Sequence, residues 1–221
     1  MKKLFYLLPK FIRRFVVGII ELAAFIYVKN KNGKVGLTSH ARSEKINVLI
    51  YHIDALSFGG TEKNLQMIAK YLDRNAYNVF LMHGTRTEKN RLEYLKDSNI
   101  TIIHFEYEDT EPAWPYVINK MNPLLETVVT DNKIDCIITA TPGQTIYPLI
   151  TIRSVPILLI NIFGSFAVQK NIAKHICISE EVKKLAKRVV NDDKLEVQYI
   201  PSERPITNSE GAKKILDRFA I

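Results

Sequence analysis

From Ile46 onward the chain alternates short apolar runs with amphipathic stretches of helix length, and this alternation limits the fold more than any other feature. Runs at Ile46–His52, Tyr77–His83, Ile100–Phe105, Asp135–Ala140, Pro156–Ile160, His175–Ile178 and Leu195–Ile200 read as strands. Between and after them, Thr61–Asp73, Glu88–Asp97, Trp114–Asn132, Ser179–Val190 and Glu210–Phe219 carry helical periodicity. Strands that are mostly apolar on both faces and are joined through helices need right-handed crossovers. The expected fold is therefore α/β, a Rossmann-like doubly wound parallel sheet. No internal repeat is visible, which excludes solenoids and propellers.

Charge divides the chain in two. Residues 1–45 hold 10 Lys/Arg against 2 Asp/Glu, whereas residues 46–221 hold 21 of each, so the net charge of +8 belongs to the amino-terminal extension. A nucleic-acid binder spreads its basic residues over a folded face or groove, and this chain does not. Cys136 and Cys177 lie inside apolar runs with no CxxC around them. They are expected to be buried free thiols of a reducing compartment.

Residues 4–28 read LFYLLPKFIRRFVVGIIELAAFIYV, apolar apart from Lys10, Arg13, Arg14 and Glu21. A spanning helix wants about 20 consecutive, mostly apolar residues, and these charges interrupt that length. Lys3, Lys10, Arg14 and Glu21 are separated by 7, 4 and 7 residues, which sets them along one stripe of a helix. The expectation is an amphipathic helix over 1–28 lying in the headgroup region of a membrane, with Lys3, Lys10, Arg13 and Arg14 toward anionic lipid. A true span in which Glu21 finds a partner and a core helix of the globular part are the competing readings; a cleaved signal peptide would lack its small-x-small site. Residues 29–45, rich in Lys, Asn, Gly and Ser, read as a basic linker. The basic excess favours the cytoplasmic face of a cell membrane, with peripheral or monotopic attachment.

In a doubly wound sheet, ligands sit beyond the carboxyl ends of the strands, so the loops there are where chemistry is sought. After the first strand the chain reads His52-Ile-Asp-Ala-Leu-Ser-Phe-Gly59-Gly60-Thr61-Glu62-Lys63. Paired glycines let backbone approach a ligand, Thr61 is placed to cap the following helix, and free N–H groups at a helix start attract phosphate. A plain tight turn would explain the same two glycines. No GxGxxG follows a strand and no GxxxxGK[ST] occurs, which argues against a Rossmann dehydrogenase or a P-loop NTPase. There is no DxD to hold a divalent metal, and the five histidines show no metal-ligand spacing.

From the Phe58-Gly-Gly-Thr-Glu-Lys63 loop onward the sequence resembles the family 4 glycosyltransferases of GT-B fold, which open with a strand, a Gly-Gly-x-Glu-[Arg/Lys] loop and a helix. His175-Ile-Cys-Ile-Ser179-Glu180 resembles the family's strand that ends in Ser-Glu and runs into a helix. Val197-Gln-Tyr-Ile200-Pro201 and the run Ala212 to Ile221 resemble, in order, its next strand and the helix that closes the amino-terminal domain. The resemblance covers about residues 46–221 and implies the amino-terminal, acceptor-binding half of a GT-B enzyme. The second domain, with its paired glutamates and most of the nucleotide-sugar site, would lie beyond Ile221.

The resemblance implies a hexosyltransferase-type activity. A sugar would pass from a nucleotide-sugar donor to a membrane- or lipid-linked acceptor in cell-surface polysaccharide or glycolipid synthesis, with no further cofactor. Gly59, Gly60, Thr61 and Glu62 would face the donor phosphates. The acceptor side of the cleft would be formed by His52, His83, Thr141, Pro142, Gly143, Gln144, Gly164 and Ser165. The family's His after the fourth or fifth strand has no counterpart in Thr139–Gln144 or Asn161–Ser165, so no residue is assigned as catalytic. Structural readings stand beside these roles: an ordinary first-turn carboxylate for Glu62, an N-cap for Ser179, satisfied core histidines for His52 and His83, and helix-start packing for Trp114. The partners implied are an anionic membrane surface, a lipid-linked or glycan acceptor, and a second chain supplying the donor domain. A non-catalytic anchoring subunit or inactive fragment that partners such a chain is the alternative.

Overall fold

The computed structural model describes residues 44–199, apart from 54–55, 57–58, 86–91, 97, 107–115, 141–144, 163–166, 168 and 170. It also describes Pro9 and scattered residues between 11 and 27. Seven strands form one parallel sheet: β1 (Ile46–His52), β2 (Tyr77–Thr85), β3 (Thr101–Glu106), β4 (Cys136–Ala140), β5 (Ile157–Asn161), β6 (Ile172–Cys177) and β7 (Leu195–Val197). Helices packed on this sheet are α1 (Gly60–Tyr71), α2 (Tyr116–Asp131) and α3 (Glu180–Ala186). The spatial order β3-β2-β1-β4-β5-β6-β7 is that of a doubly wound Rossmann-like sheet, and the chain reverses its direction of travel between β1 and β4.

Each face of the sheet has its own core, because alternate residues of a strand point to opposite sides. On one face Val48, Ile50, Leu81, Ile138 and Ile160 pack under Leu65, Ile68 and Ala69 of α1. On the other, Leu49, Tyr51, Met82, Ile137 and Leu159 pack with Met121, Leu125, Val128 and Val129 of α2. A smaller cluster joins Cys177 of β6 to Val182 and Ala186 of α3 and to Val189 and Val190 beyond it. The two central strands are buried along almost their whole length, which is why their sequences read as unbroken apolar runs.

Side chains tie the amino edge of the sheet. Asp135 Oδ2 accepts from the Asn47 N–H at 2.8 Å, Asn47 Nδ2 donates to the Asn132 and Lys133 carbonyls, and Asn78 donates to Asn47 Oδ1. Arg74 closes the end of α1, donating to the carbonyls of Leu72, Ala69 and Ser98. A cation at a helix carboxyl end satisfies orphan carbonyls and complements the dipole. On the opposite face, buried Asn122 of α2 donates to the Pro148 carbonyl and to Thr151 Oγ1, which donates in turn to Glu126. Burial holds the Glu126 carboxyl above its ordinary range, a shift that the Thr151 bond opposes.

Several boundaries differ from the sequence-based expectation. The helix expected over Glu88–Asp97 is, among the described residues, a 3₁₀ turn at Leu92–Leu95. β6 begins at Ile172, not His175: Ile172 is buried and pairs with Ile157 across a register shift, and the polar Lys174 that follows hid this start. α3 stops at Ala186, and β7 has three residues. Helix Glu210–Phe219 and residues 29–43 of the linker fall outside the described residues.

Candidate functional site

The site expected at the carboxyl edge is framed by the ends of β1, β2 and β4 and by the start of α1. Thr139 of β4 donates its hydroxyl to the Tyr51 carbonyl of β1 at 2.9 Å, tying the two strands where the winding reverses. After His52 the chain leads through Ile53 and Leu56 to Gly59, the N-cap of α1. Gly59 has extended backbone and no side-chain capping bond, so Thr61 does not cap the helix as expected. The helix begins one residue earlier than the Thr61 start read from the sequence, and Thr61 is carried into its first turn and buried.

Glu62 reaches back to the first glycine. Its carboxylate folds back over Gly59 and fills the space a β-carbon there would need, with Cδ 2.6 Å and Oε1 2.8 Å from that position. Placed three residues after the N-cap, it stands where the acidic member of a capping box stands. A carboxylate is favoured at the positive end of the helix dipole. Among the described residues nothing lies within 4 Å of a hypothetical β-carbon at Gly60, and the residue is exposed. Gly60 thus presents bare backbone to solvent at the helix start, the arrangement expected for contact with a phosphate.

His52 and His83 both lie on the α1 side of the sheet, and the register adds a third histidine that the sequence reading left unused. His52 pairs with His83 across β1 and β2, and His83 pairs with His104 across β2 and β3. The first two are buried and His104 is exposed. The rings of His83 and His104 meet edge to face with centroids 4.6 Å apart. Burial lowers the His83 pKa to about 4; the Gly84 carbonyl opposes this, and the neighbouring His104 and His52 add to it. The ring is therefore neutral, and Nδ1 carries the proton that faces the Gly84 carbonyl at 3.0 Å. Nε2 is left as a buried acceptor with no hydrogen-bond partner among the described residues. A neutral acceptor suits a hydroxyl, not a phosphate.

Gly84 is a second residue that went unread. The Ile53 carbonyl occupies the space that a β-carbon at Gly84 would need, and Phe105 Cε2 lies 3.2 Å from that point. The chain leaving β1 crosses directly over β2 here. The expected strand ended at His83, and only the extension of β2 to Thr85 puts this glycine inside a strand, where it marks close approach of another backbone.

A further buried polar cluster lies at the carboxyl ends of β5 and β6. Asn161 Nδ2 is 3.2 Å from His175 Nδ1, and Cys177 pairs with Asn161 in the register. Burial lowers the His175 pKa to about 4, with Lys194 adding to the shift, and raises that of Cys177 to about 11 against the opposing bond to Asn161. A protonated, buried thiol is a poor nucleophile, so Cys177 is an interior residue, as is Cys136, whose thiol burial pushes up further. Ser179 caps α3, its Oγ accepting from the Val182 N–H at 3.2 Å.

Thr141, Pro142, Gly143, Gln144, Gly164 and Ser165 lie outside the described residues, as do Trp114, Lys3, Lys10, Arg13 and Arg14. Among the described residues no group of three or more His, Cys, Asp or Glu is placed to hold a metal ion. A groove of about 430 Å³ opens at the amino edge of β5 and β6, between Arg153, Pro156, Asn171 and Lys194. Its polar groups are spent internally: Asn171 donates to Leu149 and Ile152, and Lys194 to Ile172. It is also the wrong edge for a ligand of this sheet.

The architecture has counterparts among solved structures. A glycosyltransferase from Rickettsia africae ESF-5 matches with a TM-score of 0.56 at 18% identity, over 80% of this chain and 50% of that one. A UDP-GlcNAc 2-epimerase from Neisseria meningitidis, bound to UDP-GlcNAc, matches with a TM-score of 0.51 at 14% identity, over 80% of this chain and 51% of that one. The likeness is one of fold. This chain spans about half the length of each of these structures. No protein-family model and no curated protein matches the sequence.

Proposed function

We propose that the chain is the acceptor-side half of a family 4-type glycosyltransferase. It would act with a nucleotide-sugar donor on a membrane- or lipid-linked acceptor in cell-surface polysaccharide or glycolipid synthesis. The observation that carries this reading is the exposed backbone at Gly60, unobstructed by any described residue, at the start of the helix that follows β1 in a doubly wound sheet. The fold shared with a glycosyltransferase and with a UDP-sugar epimerase supports it.

In this reading the α1 N-terminus stabilises the departing nucleotide diphosphate through backbone N–H groups and the helix dipole. His52 and His83, on the same side of the sheet, are placed on the acceptor side in this reading, where the neutral His83 imidazole accepts from a hydroxyl. The donor's base and sugar are held by a second domain.

The test is transfer from labelled UDP- and GDP-sugars to a lipid extract, by the chain alone and with a donor domain supplied as a separate polypeptide. Transfer that needs both supports the proposal. Failure with both, together with a stable complex between the two, favours the second reading, a non-catalytic subunit that anchors a donor-binding chain. Conversion of UDP-GlcNAc to its 2-epimer without transfer would replace both readings.

A further inference from the structure

Between Phe11 and Tyr27 the described residues are helical. Five of their side chains are large, apolar and open to solvent: Phe11 is 72% exposed, Phe15 69%, Leu22 57%, Ile19 52% and Ile26 48%. In the rest of the described chain only Leu185 and Tyr199 are large apolar residues left exposed. The five are spaced 4, 4, 3 and 4 residues apart. At helical periodicity that spacing gathers them within an arc of roughly 80°, a single narrow stripe.

We propose that this stripe is a membrane-docking surface that lies in the headgroup region of an anionic leaflet, with the helix parallel to the membrane plane. Charge selects the occupant. In the sequence Lys10, Arg13 and Arg14 alternate with the residues of the stripe, Lys3 precedes it, and Lys29, Lys31 and Lys34 follow it, against the single acid Glu21. Basic residues beside an exposed apolar face are the pattern of an interfacial helix, attracted by anionic lipid and held by its apolar side chains. A second copy of this chain would set the same basic cluster against itself. A spanning orientation would carry Lys10, Arg13, Arg14 and Glu21 into hydrocarbon, and among the described residues no helix is long and apolar enough to cross a membrane. The inference deepens the proposed function by naming the surface that brings the domain to a lipid-linked acceptor, and it rests on that reading for its purpose.

The experiment is co-sedimentation of the full chain with phosphatidylcholine vesicles, with and without phosphatidylglycerol. A Phe15→Glu/Leu22→Glu double variant is compared with Tyr199→Ser, which removes an exposed aromatic outside the stripe. Binding should require phosphatidylglycerol, weaken with salt, and fall at least about tenfold in the double variant but not in Tyr199→Ser. Alkaline carbonate should release the bound chain. Equal binding by the double variant, no binding by the native chain, or retention after carbonate would each overturn the proposal, the last in favour of a span. A double variant that loses self-association in the absence of vesicles while binding lipid normally would overturn it in favour of a second copy. Sugar transfer to a detergent-solubilised acceptor, measured on the same variants, fails only if the catalytic reading fails, so the two proposals are judged apart.

Discussion

The carbonyl of Ile53 stands where a β-carbon on Gly84 would have to be. The obstruction is backbone, and β2 is fixed by its pairing with β1 and β3 on either side. Neither partner can yield cheaply. Gly84→Ala should therefore destabilise the domain by about 1–3 kcal/mol, the usual cost of overpacking a tight interior. Urea unfolding measures this. A midpoint within error of the native chain would show that the segment after β1 is free to lift away.

Gly60→Ala should behave in the opposite way. The space around Gly60 is open, and alanine is favoured over glycine in a helix by up to about 1 kcal/mol, so stability should hold or rise. If the bare backbone at this position meets the donor phosphates, sugar transfer should fall by at least about tenfold while the unfolding midpoint does not. Unchanged transfer would remove Gly60 from the site.

The parallel sheet was legible because β1, β4 and β5 are buried on both faces, and burial on both faces leaves a continuous apolar run in the sequence. The edges were less legible. Lys174 interrupts the apolar run of β6, so its true start at Ile172 was hidden, although Ile172 is itself fully buried. The Gly59-Gly60 loop was visible as a pattern, but the place of the Glu62 side chain in it was not. Nothing in the sequence says that the Glu62 carboxylate folds back over Gly59. The histidine row was hidden for a similar reason: His52, His83 and His104 are far apart in the chain and meet only through strand register. Side-chain pairing across parallel strands is a tertiary fact that no local period encodes.

His83 and His175 should make the fold sensitive to acid. Both are buried with pKa values near 4, against an ordinary value of 6.5 that applies once the chain unfolds. Between these two values the unfolded chain binds more protons than the folded one, so stability rises with pH through this window. It is fully present above about pH 6.5 and is lost as pH falls toward 4, with a slope for each histidine of up to about 1.4 kcal/mol per pH unit. Glu126, held above its ordinary range, works in the opposite sense. Urea midpoints should drop clearly from about pH 7.5 to about pH 5, and His83→Gln should flatten that dependence. A native midpoint independent of pH over this range would mean that the two rings gain protons without opening the core.

Glu62 sets up a competition at the start of α1. Its carboxylate lies over Gly59, at the same positive helix end that a diphosphate would use. In the free protein it stabilises the helix; if a donor binds at this helix start as proposed, it would become a negative charge beside the phosphates. Glu62→Gln keeps the size of the side chain and removes the charge, so two opposite effects should follow. Stability should fall by roughly 0.3–1 kcal/mol at low ionic strength, because a favourable charge leaves the helix end. Affinity for a nucleoside diphosphate should rise, by a factor that shrinks as salt is added. Calorimetric titration of UDP and GDP into the chain together with a separately supplied donor domain, native and Glu62→Gln, reads the second effect directly. If Glu62→Gln weakens nucleotide binding, the carboxylate is accepting from the ligand and the phosphates are held elsewhere. If it lowers stability without changing affinity, the helix start is a capped end and no more.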